Sequence, residues 1–287
     1  MDRIRTLAHV SDLHVGHSPA RDRATAELCD ALLRSGADSV VLTGDVTQRG
    51  RRFELEQFRS LWGPLLESGR VAVVPGNHDR LGDDVSVALM GGQRRVQVKS
   101  LPGLHVVRVD STGPHNRSQR ASHGVLAACD LEAIDCALAE APAGALRVLA
   151  LHHHPLPLPE DSAMERLLGA VGICSSAELA VGADLIRRVI GACDLVLHGH
   201  RHRPAVQQLG VFGAPHLGIY NAGSSSDLGM VRLFEHRGGF LVREPRWLRV
   251  EDVQVARLRP RPRLVPSTGL LRSWGAGTPG AGDLAGA

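Results

Sequence analysis

Lysine is nearly absent. Lys99 is the only one among 33 basic residues, so arginine carries the positive charge, a bias of composition rather than a signal of function. Cysteine is also sparse: Cys29, Cys129, Cys136, Cys174 and Cys193 are odd in number and show no CxxC spacing. That argues against a disulfide framework or a thiolate zinc site, and the economical reading makes them small buried apolar side chains. No apolar run approaches the roughly 18 residues a membrane span needs. The opening "MDRIRTLAHVSD" has no signal-peptide core, so a cytoplasmic protein is expected. Aromatics make up 3% of the chain, and the arginine-rich end has no aromatic interleaving of the kind that binds single-stranded nucleic acid.

The 287 residues, 43% hydrophobic and 22% charged, suit a soluble α/β domain rather than a disordered or membrane chain. The net charge of +3 is unevenly placed, because residues 243–287 hold eight Arg against four acids and leave −1 for the rest. A basic end can contact nucleic acid, but nothing else in the sequence supports that partner.

Short apolar runs alternate with amphipathic stretches. "RTLAHV" reads as a strand leading into "SDLHVG". "RATAELCDALLRSG" is a helix with Leu28, Leu32 and Leu33 on one face and Gly36 as its stop. "DSVVLTGD" is a buried strand, "RRFELEQFRSLWGPLLES" a second helix and "VAVVPGNHD" a third strand, a βαβαβ opening. Further on, "LRVLALHHHP" and "DLVLHGHRH" read as strands around a helix "AELAVGADLIRRVIGAC". The runs "HLGIYNAGSSS", "MVRLFEH" and "GGFLVREPRWLRV" alternate like antiparallel strands. Between the halves, "DLEAIDCALAEA" is a helix that follows the long polar connection "VDSTGPHNRSQRASHGVL". The expected domain is 1–257. From 258 to 287 the sequence is Arg-, Pro- and Gly-rich without periodicity, a disordered tail by composition.

Five loops leave strands carrying metal-ligating residue types: Asp12 and His14 in "SDLHVG", Asp45 in "TGDVTQRG", Asn77 and His78 in "PGNHDR", His152 to His154 in "LHHHP", and the histidines of "LHGHRHRP". On an extended segment His198, His200 and His202 would share one face. Strand ends of a parallel sheet converge on one edge, so loops distant in sequence can meet there. Taken singly, "GD" and "GN" are turn signals and Asp12 is a possible helix cap. Together, two aspartates, an asparagine and four histidines exceed the ligand set of a single zinc ion and fit two divalent ions. Mixed oxygen and imidazole donors suit manganese, iron or zinc more than calcium. Gly44, Gly76 and Gly199 would let backbone approach closely.

In this order, DxH, GD, GNH, H and GHxH, the motifs resemble those of calcineurin-like metallophosphoesterases, and the match spans residues 12–202. The resemblance implies an α/β fold, a four-layer αββα sandwich of two mixed sheets flanked by helices, with a dinuclear centre. It places Asp12, His14 and His202 on one ion, Asn77, His152 and His200 on the other, Asp45 between them, and His78 beside the leaving group with Asp79 orienting it. The family reads "HHPP" where this chain has "HHHP", which leaves His152 or His153 as the ligand; ungapped comparison with "HHPPLP" favours His152. His198 precedes the family frame and is expected to pack or tune. Two ions about 3.5–4 Å apart activate a bridging water for in-line displacement, so the implied reaction is phosphoester hydrolysis.

The stretch "TGDVTQRGRRFELEQF" resembles the bacterial cyclic-nucleotide phosphodiesterases and glycerophosphodiesterases of that superfamily, pointing to a small diester substrate. Its protein phosphatases read GDxxDRG and GNHE, from which Gln48 and Asp79 depart, and its repair nucleases carry larger appended domains. A phosphomonoesterase is the nearer alternative. A non-catalytic scaffold would show a gap in the motif set, and none is visible. Specificity is expected from residues 111–125 and 156–176, where Arg117, Arg120 and His123 are candidate phosphate contacts or solvated loop residues.

Overall fold

The computed structural model describes residues 3–118, 120–157, 179–210 and 216–253. The proposed tail, and most of segment 156–176, lie outside them. One sheet carries β1 (Arg5–Val10), β2 (Ser39–Thr43) and β3 (Val71–Val74) in parallel. Antiparallel to β1 runs β10 (Met230–Arg237), on which β11 (Phe240–Leu241) and β12 (Arg246–Arg249) also pair. The second sheet has the order β4 (Val96–Leu101), β5 (Leu104–Val109), β6 (Leu146–Ala150), β7 (Leu195–His198), β9 (Leu217–Asn221), β8 (Ala205–Leu209). Its four inner strands are parallel and its two edge strands antiparallel.

Side-chain alternation along these strands sorts the core into layers. Leu7, Val41, Val74 and Phe234 of the first sheet meet Val106, Val148, Leu197 and Tyr220 of the second. On the outer face of the first sheet, Val10, Val40 and Leu42 pack under α1 (Pro19–Ser35) and α2 (Arg52–Glu67), through Leu28, Leu32, Phe58 and Trp62. On the outer face of the second, Val107, Leu149 and Val196 pack under α4 (Ala128–Ala139) and α5 (Gly182–Val189), through Leu131, Ile134, Leu185 and Ile186. The result is an αββα sandwich. Strands covered on both faces read as continuous apolar runs, which is why "SVVLT" is buried at every position.

Local signals hold in detail for α1. Ser18 caps it by accepting the Arg21 N–H, Pro19 fills the first turn, and Gly36 stops it in the left-handed region at φ 70°. In α2 the fully buried Trp62 donates to the Thr25 carbonyl at 3.1 Å and binds the two helices together. Burying a side chain of this size contributes on the order of 1.5–3 kcal/mol.

Four features differ from the sequence expectations. Cys129 and Cys136 are exposed on α4, whereas Cys29 and Cys193 are buried as expected. Of the helix expected over 177–193, whose residues 177 and 178 lie outside the described ones, α5 covers Gly182–Val189, and its first residue packs so closely on Pro155 that a Cβ there would lie 1.9 Å from the carbonyl oxygen. The C-terminal runs do not form one antiparallel set: β9 joins β7 in parallel, while β10 crosses to the other sheet. The hairpin β4–β5 and the edge strand β8 also appear, the hairpin turning at Pro102-Gly103 between Leu101 and Leu104.

The lone lysine has a structural task. β3 is an edge strand, and its outward carbonyls at Val71 and Val73 accept hydrogen bonds from Lys99 Nζ (2.7 Å) and an Arg108 guanidinium nitrogen (3.2 Å). Two cations from the second sheet thus satisfy an edge that would otherwise be open to pairing.

Candidate metal centre

The loops that follow β1, β2 and β3 meet those that follow β6 and β7 at one end of the sandwich. The first two run side by side: the amides of Asp12, His14 and Val15 donate to the carbonyls of Gly44, Asp45 and Val46 at 3.1, 2.9 and 2.9 Å. Left-handed backbone is rare outside glycine. Among the described residues six non-glycine ones adopt it, and five are Asp12 (φ 54°), His14 (51°), Asp45 (49°), His200 (77°) and His202 (53°). Such residues cost of order 1–3 kcal/mol each and cluster where function requires them.

Those turns aim donor atoms at two adjoining points. Ligand-type atoms of Asp12, His14, Asp45 and His202 lie within 4.8 Å of one another, as do those of Asp45, His152 and His200. Asp45 belongs to both groups, its Oδ2 lying 3.7 Å from His14 Nε2 and 3.4 Å from His152 Nε2. Asn77 Oδ1 stands 3.1 Å from His152 Nε2 and 3.0 Å from His200 Nδ1. His14 Nε2 and His202 Nε2 face each other at 3.0 Å, and His200 Nδ1 faces His152 Nε2 at 3.2 Å. Nitrogen facing nitrogen at this distance, beside carboxylates, is the geometry of lone pairs converging on a cation.

Surrounding groups hold these rings. His152 Nδ1–H donates to the Thr43 carbonyl at 2.8 Å, which fixes the ring with Nε2 turned toward Asp45 and Asn77. The Asp12 loop is gripped by a serine run that sequence reasoning passed over: Ser224 Oγ and Ser226 Oγ donate to the Asp12 carbonyl at 3.0 and 3.2 Å. Asn221 Nδ2 donates to the Gly199 carbonyl at 2.8 Å and steadies the His200 turn. The only sequence signal for these residues is a polar run, "NAGSSS", directly after an apolar strand. Glycine is required at two contacts, since a Cβ on Gly76 would lie 2.2 Å from Asp45 Oδ1 and one on Gly199 would lie 2.4 Å from Asp12 Oδ2.

Electrostatics point the same way. Burial pushes His14 down to about 4 and His200 well below its ordinary value, so both are neutral imidazoles with lone pairs available for a metal. Burial alone would raise Asp45, but His152, His78 and His14 around it hold it well below the usual carboxylate range. His152 is also desolvated, yet the Asp45 carboxylate outweighs this and raises it to about 9. A buried carboxylate among imidazoles demands nearby positive charge, and the donor set fits divalent transition ions.

The other expected residues are placed as follows. His78 is half-buried, edge-on to His14 with ring centroids 4.7 Å apart, and its Nδ1–H donates to the Gln48 carbonyl at 2.8 Å. The expectation that Asp79 orients His78 needs correcting. The buried Asp79 carboxylate accepts instead from Gly76 N (2.8 Å), Thr47 N (2.8 Å), Thr47 Oγ1 (2.7 Å) and Val46 N (3.2 Å). It ties the Asp45 loop to the Asn77 loop, and desolvation followed by the Asp45 charge raises it to about 6. His153 joins neither donor group, its Nδ1 accepting from Ser111 Oγ at 2.8 Å.

His198, His200 and His202 do not share a strand face, because β7 ends at His198 and left-handed turns follow it. His198 packs beside His154 at 6.5 Å, while His200 and His202 go to different groups. Arg117 pairs with Asp84 at 3.2 Å, Arg120 is exposed, and His123 stacks on His115 at 4.0 Å. None of these three joins the ligand groups.

A family model described as calcineurin-like phosphoesterase matches residues 5–204. A dimetal phosphatase from Danio rerio superposes with a TM-score of 0.54 at 13% identity, covering 86% of this chain and 99% of that one. A purple acid phosphatase from seeds of yellow lupin (Lupinus luteus) gives 0.54 at 11% identity, covering 88% of this chain and 55% of that one. At such identities the likeness establishes the shared fold. No curated protein matches the chain.

Proposed function

Because the chain belongs to the calcineurin-like phosphoesterase family and is a metal-dependent phosphoester hydrolase, we propose that it is a phosphodiesterase for small diesters such as cyclic nucleotides. The observation that carries the dinuclear assignment is Asp45, the one residue common to both donor groups. Asp12, His14 and His202 would hold one divalent ion, Asn77, His152 and His200 the other, and Asp45 both.

The ions, when bound, supply the charge that activates water and offsets charge on the phosphoryl oxygens. The residues around them do the positioning. The Gln48 carbonyl holds the His78 ring through Nδ1–H, so that a second proton, taken up at Nε2 to give the imidazolium, would be the one passed to the leaving oxygen, a contribution of about 10²–10⁴-fold. Asp79 serves this indirectly by fastening the Asn77 turn to the Asp45 loop. The diester preference rests on the likeness of "TGDVTQRGRRFELEQF" to bacterial cyclic-nucleotide phosphodiesterases, and on Gln48 and Asp79 standing where the superfamily's protein phosphatases carry acids of another pattern.

The test is hydrolysis of bis(p-nitrophenyl) phosphate against p-nitrophenyl phosphate by metal-stripped protein reconstituted with manganese, with 2′,3′- and 3′,5′-cyclic AMP run alongside. Metal-dependent diester turnover exceeding monoester turnover is expected. Monoester preference would make the protein a phosphatase, and inactivity with every metal would leave a binding scaffold.

A further inference from the structure

Of the six described non-glycine residues in the left-handed region, only Asp84 lies outside the donor groups. What it holds is informative. Asp84 Oδ2 accepts from Arg80 at 3.2 Å and from Arg117 at 3.2 Å, and its Oδ1 is bonded to Ser86 Oγ. Arg80 ends the short 3₁₀ turn His78–Arg80 that begins beside Asn77. Its guanidinium uses all three nitrogens: toward Asp84, from Nε to Thr112 Oγ1 at 2.6 Å, and from the third to Asp110 Oδ2 at 2.6 Å.

Asp110 and Thr112 flank Ser111, in the segment that leaves β5 of the second sheet. Asp110 locks that segment by accepting the Thr112 amide at 2.9 Å. Ser111 Oγ then accepts the backbone amides of His152 and His153, both at 3.3 Å, and donates to His153 Nδ1. A short path of hydrogen bonds thus runs from the Asn77–His78 turn of the first sheet, through Arg80 and Ser111, to the peptide that carries His152 in the second. Asn77 and His152 are the two residues that close on each other at 3.1 Å.

We propose that Arg80 is a positioning residue: its guanidinium clamps the Asn77–His78 turn to the Asp110–Thr112 segment and so sets the spacing of the Asn77/His152/His200 half of the centre. This rests on the metal reading above. The other half has its own fastenings, the His14 N–H to Asp45 carbonyl bond and the Ser224 and Ser226 hydroxyls on Asp12, and meets the Arg80-held turn only through Asp45, whose Oδ1 accepts the His78 amide. The planar three-nitrogen fork is what the three acceptors require, and an ammonium cannot reproduce it.

The experiment compares Arg80→Met and Arg80→Lys with wild type and with Arg147→Met, which breaks a similar partly buried pair, Arg147–Asp194 at 2.7 Å, elsewhere in the second sheet. Manganese titration of the apoprotein by calorimetry should show one of two ions weakened about 10- to 100-fold in both Arg80 variants, with the other weakened far less. Arg147→Met should bind both ions as wild type does. In kinetics on bis(p-nitrophenyl) phosphate the loss should fall on kcat more than on KM.

Hydrogen exchange of the metal-free proteins supplies a reading independent of metal. Amides of 109–118 and 151–154 should exchange faster in Arg80→Met, and those of 12–15 should not. Unchanged exchange in those segments, equal weakening of both ions, or full rescue by Arg80→Lys would overturn the clamp. If wild type bound no manganese, the metal reading would fall and the exchange result would decide the clamp by itself.

Discussion

At the scale of single residues, the proposed chemistry is divided between Asp45 and His78. Asp45→Asn keeps the Oδ1 that accepts the His78 amide at 2.8 Å but removes the charge shared by both donor groups. The variant should fold with wild-type circular dichroism and lose several kcal/mol of transition-state stabilisation, about 10³-fold or more in kcat. Turnover near wild type would end the dinuclear assignment. His78→Ala should slow esters of poor leaving groups by about 10²–10⁴-fold while sparing activated nitrophenyl esters. Equal losses on both would show that His78 serves some other purpose. As candidates these two residues come from "GD" and "GNH" read together with the other three loops, since each motif by itself is only a turn signal. The choice of His152 over His153 was weaker in the sequence, since adjacent histidines differ only in which way each ring turns.

At the scale of elements, the strand ends matter more than the strands. Adding a methyl at Gly199 would bring it 1.9 Å from Ser11 Oγ and 2.4 Å from Asp12 Oδ2. Gly199→Ala should therefore lower stability by about 1–3 kcal/mol and weaken manganese binding, both readable by thermal melts with and without metal. Gly36→Ala is the contrast. Its Cβ would meet nothing within 4 Å, so it should cost only the left-handed strain, about 1–2 kcal/mol, and leave metal affinity alone. A shift in metal affinity from Gly36→Ala would undo this distinction. The Gly36 stop of α1 and the apolar face of Leu28 and Leu32 were readable locally. The β4–β5 hairpin lies outside the sequence expectations although its Pro-Gly turn and the alternation in "VQVK" are recognised signals, for β4 is a half-exposed edge strand whose alternation spans only four residues.

At the scale of the whole molecule, the site joins two sheets. Asp12, His14, Asp45 and Asn77 follow strands of the first, and His152, His200 and His202 follow strands of the second. Bound ions would bridge the layers and stabilise the folded state by mass action. Manganese at about a hundred times its dissociation constant adds about 2.7 kcal/mol, and for a chain of this size that should raise the melting temperature by roughly 5–10 °C. A chelator should reverse the rise. No change in melting temperature with manganese would contradict a centre that ties the sheets together.

The order of strands and helices in the first half, the αββα class by family resemblance and the identity of the loops that bear chemistry were all present in the chain's local patterns. Side-chain alternation, turn residues and caps act over a few positions, and that is the range over which such reasoning works. Convergence is another matter. His200 and His202 part company because of single left-handed turns, the Ser224–Ser226 run grips a loop more than two hundred residues earlier, and Arg80 reaches across to Asp110 and Thr112 in the other sheet. These contacts arise when two sheets pack face to face, and no short-range rule encodes which distant polar groups will then stand within hydrogen-bond reach.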